Sequence, residues 1–176
     1  MFEEIRSGVY RKINALLYSD DKINKLLMDG IVELLGDVEY DVKVYFFDSC
    51  FSDEIIESVE ESEPNSGIDK NLMGLTTIYE DGSITICFSC EAIKVMFSDF
   101  NPFSLRSQIK SIGTHEAYHV LQYRYVYERG GTKAIEHLMA DIKQVDYFDN
   151  ILEEGAYKFQ FFGIKQDFEN VFAPYV

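Results

Sequence analysis

Long apolar runs are missing from this chain: no stretch approaches the ~18–20 residues a helix needs to cross a bilayer, so no membrane span is expected. Cysteine is scarce and odd in number, three in 176 residues. That fits a reducing compartment better than a disulfide framework, with the cytoplasm as the expected location. Basic residues are outnumbered, 16 against 31 acidic, for a formal net charge of −15. A surface of that sign repels phosphates, which argues against direct binding to nucleic acid or to anionic membranes. Met1-Phe2-Glu3-Glu4-Ile5-Arg6 has acidic residues where a signal peptide carries basic ones, so export by that route is not expected. Histidine is scarce too, three in all, and two of them lie four residues apart.

What is present describes a globular protein. Hydrophobic residues make up 47% and aromatics 15% of the chain, enough to build a core, and the length suits one domain over 1–176. The expected class is α+β, mainly helical with a small sheet. Residues 1–66 form an acidic N-terminal part, with 16 acidic against 6 basic side chains. Two amphipathic helices are predicted there. Residues 2–18 put Ile5, Val9, Ile13, Leu16 and Leu17 on one face, and residues 21–35 do the same with Ile23, Leu26, Leu27, Ile31 and Leu34. Ser19-Asp20-Asp21 reads as a capping turn between them. Asp41 to Phe47 reads as a strand. Asp48 to Glu63 reads as a short helix and an exposed loop ending in Pro64-Asn65-Ser66-Gly67.

Residues 74–162 hold a second set of signals. Leu75–Tyr79 and Ser83–Phe88 predict a hairpin turning at Glu80-Asp81-Gly82. Asn101-Pro102 predicts a helix start, and Gly130-Gly131 a stop just after Arg129. Further helices are expected over 132–147 and 149–162, the latter entered through Asp149-Asn150.

His115-Glu116-Ala117-Tyr118-His119 lies inside the long predicted helix and reads H-E-x-x-H. Residues four apart share a helix face, so both imidazoles can grip one divalent ion. Glu116 falls beside that ion, placed to take a proton from a water. A catalytic zinc needs a third protein ligand. Downstream candidates are Glu136, His137, Asp141, Asp146, Glu153 and Glu154. The metzincin extension would need a histidine six residues past His119, where Tyr125 stands.

The motif resembles that of gluzincin-type zinc peptidases, in which a glutamate from a later helix completes the ligand set, often with Ala or Ser three residues on. Glu153 and Ala156 fit that E-x-x-A spacing. The segment is similar to the small cytosolic ImmA/IrrE-type peptidases, whose second helix reads E-x-x-A-N-x-F-A. Glu153, Ala156 and Phe159 match it, while Tyr157 replaces the Asn and Gln160 the final Ala. The resemblance implies a zincin-like fold, with hairpin, motif helix and third-ligand helix over 74–162. It implies zinc held by His115, His119 and Glu153, and Glu116 as the catalytic base. Glu154 is the rival ligand, although Lys158 four residues on offers it an ordinary ion pair. The expected function is a zinc-dependent endopeptidase acting on a limited set of protein or peptide targets, with basic segments as conjectural substrates. Strand Ile84–Phe88 is the expected edge for an extended peptide. The alternative is a non-catalytic acidic binding protein that mimics nucleic-acid charge.

Other residues read as structural. Cys87 and Cys90 form a lone C-x-x-C, with Cys50 apart from it, and are expected to be buried thiols rather than a redox pair. Tyr118, Tyr123, Tyr125 and Tyr127 fit core and cleft wall. His137 fits a helix surface, and Tyr157 is a secondary candidate for stabilising an oxyanion. The acidic run from Asp53 to Glu63 lacks calcium-loop spacing and fits a solvated face.

Overall fold

The computed structural model describes residues 2–36, 42–62, 71–146 and 149–176. The Pro64–Gly67 loop lies outside them. The core is built where α2 (Asp20–Leu35) packs along the first arm of α5 (Pro102–Ile142). Ile23, Leu26, Leu27 and Ile31 fall on the predicted face of α2, and all are buried. They meet Leu105, Ile109 and Ile112 of α5 in one apolar cluster. Two glycines let the helices touch backbone to backbone. A Cβ on Gly30 would stand 2.2 Å from the Lys110 carbonyl oxygen, and one on Gly113 2.1 Å from that of Leu27.

Helix α1 (Phe2–Leu17) forms as expected, but part of its apolar face stays open: Leu16 is 85% and Leu17 55% exposed. It is held by polar contacts instead. Asn14 Nδ2 lies 3.2, 2.9 and 3.0 Å from the carbonyls of Phe97, Ser98 and Phe100, and Tyr18 donates to the Pro102 carbonyl at 2.9 Å. The last carbonyls of α4 (Cys90–Phe97) have no partner within their own helix, and Asn14 supplies one. Ser19 does sit at the N-cap of α2, though its side chain makes no capping bond and the helix begins at Asp20.

The sheet contains β1 (Val42–Phe47), β2 (Gly74–Ile78) and β3 (Ile84–Ser89) in the order β1-β3-β2. The hairpin forms as expected: β2 is antiparallel to β3, Tyr79 N donates to Ser83 O at 2.9 Å, and Gly82 takes φ 80° in the turn. β1 joins β3 in parallel, through a crossover long enough to hold α3 (Asp53–Ser62). This pairing corrects one expectation. β3 is the central strand, so the sheet edge beside the hairpin is β2. Ile84, Ile86 and Phe88 point to the core and are fully buried.

α5 consists of two helical arms that meet at Gly130-Gly131, where the expected stop falls. Gly131 takes φ 64° and ψ −158°, after which the helix resumes. Ala134, Leu138 and Ile142 then carry the second arm back onto the core. The arm ends at Ile142, short of the expected 147, itself outside the described residues. Helix α6 (Ile151–Phe162) is entered through Asn150, whose Oδ1 accepts from Leu152 N at 2.9 Å, and it closes on Gly163 at φ 66°. A short α7 (Phe168–Val171) precedes the buried Phe172. Among the described residues, no helix is long and apolar enough to cross a membrane.

Candidate metal centre

The first arm of α5 presents His115 and His119 one turn apart, and α6 packs against it where Gly155 and Ala156 are buried. This close approach brings Glu153 to both imidazoles. His115 Nε2 lies 3.2 Å from Glu153 Oε2, His119 Nε2 lies 3.2 Å from Oε1, and the two Nε2 atoms are 3.1 Å apart. One ligating atom from each residue falls within 4.8 Å of the others, and all three side chains are buried. Two imidazole nitrogens and a carboxylate converging in a buried site fit a divalent cation.

Charge at the cluster is strongly coupled. Burial disfavours a charged imidazole at His119, but the adjoining Glu153 carboxylate outweighs it and pushes the pKa up to about 9. Burial likewise works against ionised Glu153, yet His119 and His115 hold its carboxyl well below the usual carboxylate range. A cation entering the site takes over the role of the proton between these groups.

Glu116 is buried beside the cluster and is not part of it. Thr76 Oγ1 lies 2.7 Å from Glu116 Oε2 and 3.2 Å from the Glu116 carbonyl. With one proton to give, the hydroxyl favours the shorter, charge-assisted partner. Gly74 lies under the same carboxylate: a Cβ there would stand 2.5 Å from Glu116 Oε1. Gly74 and Thr76 are alternate residues of β2, so the edge strand turns one face to the motif glutamate.

A groove passes the cluster. On one side lies a cavity of about 520 Å³ between α3, β2 and the second arm of α5, lined by Phe51, Ile55, Val59, Thr76, Ile135 and Met139 among others. Val59, Leu75, Thr76 and Tyr123 also line the small pocket that holds Glu116, His119 and Glu153. Beyond it a cavity of about 100 Å³ continues past His115 and Glu116 to Tyr157 and Gln160. β2 runs beside this groove. Ser89 N donates to Met73 O at 3.0 Å and Tyr79 N to Ser83 O at 2.9 Å. The antiparallel alternation therefore turns the main-chain groups of Gly74, Thr76 and Ile78 away from β3. A separate cavity of about 300 Å³ between α1, α2, α4 and the start of α5 contains none of the motif residues.

The remaining candidates lie elsewhere. Glu154 is exposed and paired with Lys158. His137 is exposed and rests on the Tyr175 ring, 5.2 Å between centroids. Glu136, Asp141 and Asp146 are exposed and outside the cluster. Tyr118 is buried against Phe159 and Tyr123 walls the groove. The Tyr157 ring lies tilted against His115, 4.7 Å between centroids. Cys50, Cys87 and Cys90 are free; burial pushes the Cys90 thiol up to about 11 and raises Cys87 too, which suits inert thiols. Four residues around the site carried no sequence signal of their own: Gly74, Thr76, Gln122 and Gln160. Gln122 lies one turn past His119, and Gln160 lies two turns past Glu153. Helical spacing alone would have put both on the ligand faces.

Comparison with protein-family models, with curated proteins and with solved structures found no match.

Proposed function

We propose that this chain is a zinc-dependent metalloendopeptidase of gluzincin type, acting on extended segments of protein or peptide substrates. The observation that carries this reading is the convergence of His115, His119 and Glu153 in a groove that runs beside a sheet edge. Zinc suits this donor set: held by His115, His119 and Glu153, it would supply a water of lowered pKa and a Lewis acid for the scissile carbonyl. Glu116 takes a proton from the attacking water and passes it to the departing amine. Thr76 holds Oε2 of that carboxylate, which leaves Oε1, above Gly74, for the exchange. An extended peptide aligns on β2 through the main-chain groups of Gly74, Thr76 and Ile78. Tyr157, beside His115 in the groove, is a candidate donor to a developing oxyanion.

The net charge of −15 favours the approach of basic targets. The three free thiols suit a reducing compartment such as the cytoplasm. The test is Glu116→Gln in purified protein. The wild type is expected to bind about one zinc per chain and cleave peptide substrates; the variant is expected to keep the zinc and lose cleavage. A variant with full activity overturns the role of Glu116. Metal-free protein that binds a basic partner in a salt-sensitive way supports the acidic binding protein instead.

A further inference from the structure

Both metal-facing imidazoles are gripped from behind by a glutamine. His119 Nδ1 lies 2.8 Å from Gln122 Oε1, and His115 Nδ1 lies 3.0 Å from Gln160 Oε1. A glutamine amide offers an acceptor at one end and donors at the other, so its direction has to be fixed by what lies beyond it. For Gln122, Nε2 donates to the Leu152 carbonyl at 2.9 Å, and a carbonyl only accepts. Its second hydrogen goes to Gln166 Oε1 at 3.0 Å, and Gln166 Nε2 donates in turn to the Ile151 carbonyl at 2.9 Å. Oε1 of Gln122 must therefore face His119, whose Nδ1 carries the proton.

The second chain reaches the same result by another route. Gln160 Nε2 lies 3.1 Å from Ser111 Oγ, and the single hydroxyl proton of Ser111 goes to the Gln108 carbonyl at 2.8 Å. Ser111 thus accepts from Gln160, and Oε1 of Gln160 faces the Nδ1–H of His115. The two chains are reciprocal. Gln122 stands on α5 and anchors in the first turn of α6, while Gln160 stands on α6 and anchors in α5. Space for the first chain depends on Gly155, where a Cβ would stand 2.4 Å from Gln166 Oε1 and 2.8 Å from Gln122 Nε2.

We propose that Gln122 and Gln160 are positioning residues of the metal centre, each accepting the Nδ1–H of one histidine so that its Nε2 lone pair points to the shared site. This rests on reading the cluster as a metal centre. Neutral acceptors suit the place: a carboxylate at both positions would add buried negative charge beside Glu153 and Glu116.

The test measures zinc affinity by chelator competition and records imidazole proton–nitrogen spectra of the zinc-loaded full chain. With three histidines the spectra are assignable, and exposed His137 serves as the control. Gln122→Leu is expected to weaken zinc binding about 10–100-fold and to remove the protected Nδ1–H signal of His119 alone. Gln160→Leu does the same for His115 alone. Gln160→Glu keeps the acceptor, so it retains the His115 signal and most of the affinity. Gln160 is only partly buried, so its two variants carry the test if Gln122→Leu does not fold. Leucine variants with wild-type affinity and both signals overturn the proposal while leaving the metal centre standing. A wild type that binds no zinc overturns both.

Discussion

Thr76 Oγ1 lies 2.7 Å from Glu116 Oε2, and through this contact the edge strand reaches the motif helix. The strand that would receive a peptide thus also fixes the carboxylate that would act on it. Substrate alignment and base alignment share one element.

Thr76→Val removes that donor while nearly keeping the shape. A hydrogen bond to a charged group contributes about 1.5–3 kcal/mol, so a fall in kcat of about 10–100-fold is expected with zinc content unchanged. Thr76→Ser should recover most of it. Steady-state kinetics beside metal analysis check this; an unchanged kcat in the valine variant would remove Thr76 from the mechanism.

Glu153 and Glu154 separate cleanly. Glu153→Gln should lose tightly bound zinc, since a neutral amide replaces the buried carboxylate that faces both histidines. Glu154→Gln should keep it, because Glu154 is exposed and pairs with Lys158. Metal analysis of the two purified variants decides between them, and the opposite pattern would exchange their roles.

Proton and metal compete at His119. Its pKa is pushed up to about 9, so near neutral pH the metal must displace a proton, and zinc affinity should climb with pH until that value. For the metal-free chain the sign is opposite. A folded-state pKa raised from 6.5 to about 9 adds stability that is complete below 6.5 and lost as pH rises towards 9. Thermal melts of chelator-treated protein should show Tm falling across that window, and His119→Gln should flatten the trend.

Gly113→Ala and Gly30→Ala should each destabilise the fold. The new methyl group would meet a backbone carbonyl, at 2.1 Å for Gly113 and 2.2 Å for Gly30, and a carbonyl in a helix cannot swing aside. Overpacking of this kind costs about 1–3 kcal/mol, a drop of several degrees in Tm for a chain of this size. Calorimetry reads it directly. A wild-type Tm in both variants would mean that α2 and α5 are farther apart than described.

The histidine pair was readable in the sequence because its geometry is local, whereas Glu153, 38 residues past His115, was reached through the resemblance. His115 and His119 share a face by helical spacing alone, and Ala156 marks where a second helix can come close. Glu153 was preferred to Glu154 through the E-x-x-A resemblance and the Lys158 pair, and burial now separates the two: Glu153 is buried and Glu154 exposed. The open edge was misassigned to β3 because a hairpin read alone leaves both its strands free; only the parallel partner β1, paired across a long crossover, decides which one stays so. Periodicity in α1 was real but did not say whether anything would cover Leu16 and Leu17, and Asn14 makes the contact instead. Gln122 and Thr76 escaped notice, and Gln160 was read only as the replacement of an Ala, because amides and hydroxyls acquire meaning from the atoms they face.

His115 and Glu153 are 38 residues apart in the chain and belong to different helices. An ion bound to both would close that span as a crosslink does. Closing a loop of comparable size with a disulfide contributes about 2–4 kcal/mol, mostly by restricting the unfolded chain. The centre would then act as a removable staple between α5 and α6, and a chelator would loosen the architecture as well as stop the chemistry.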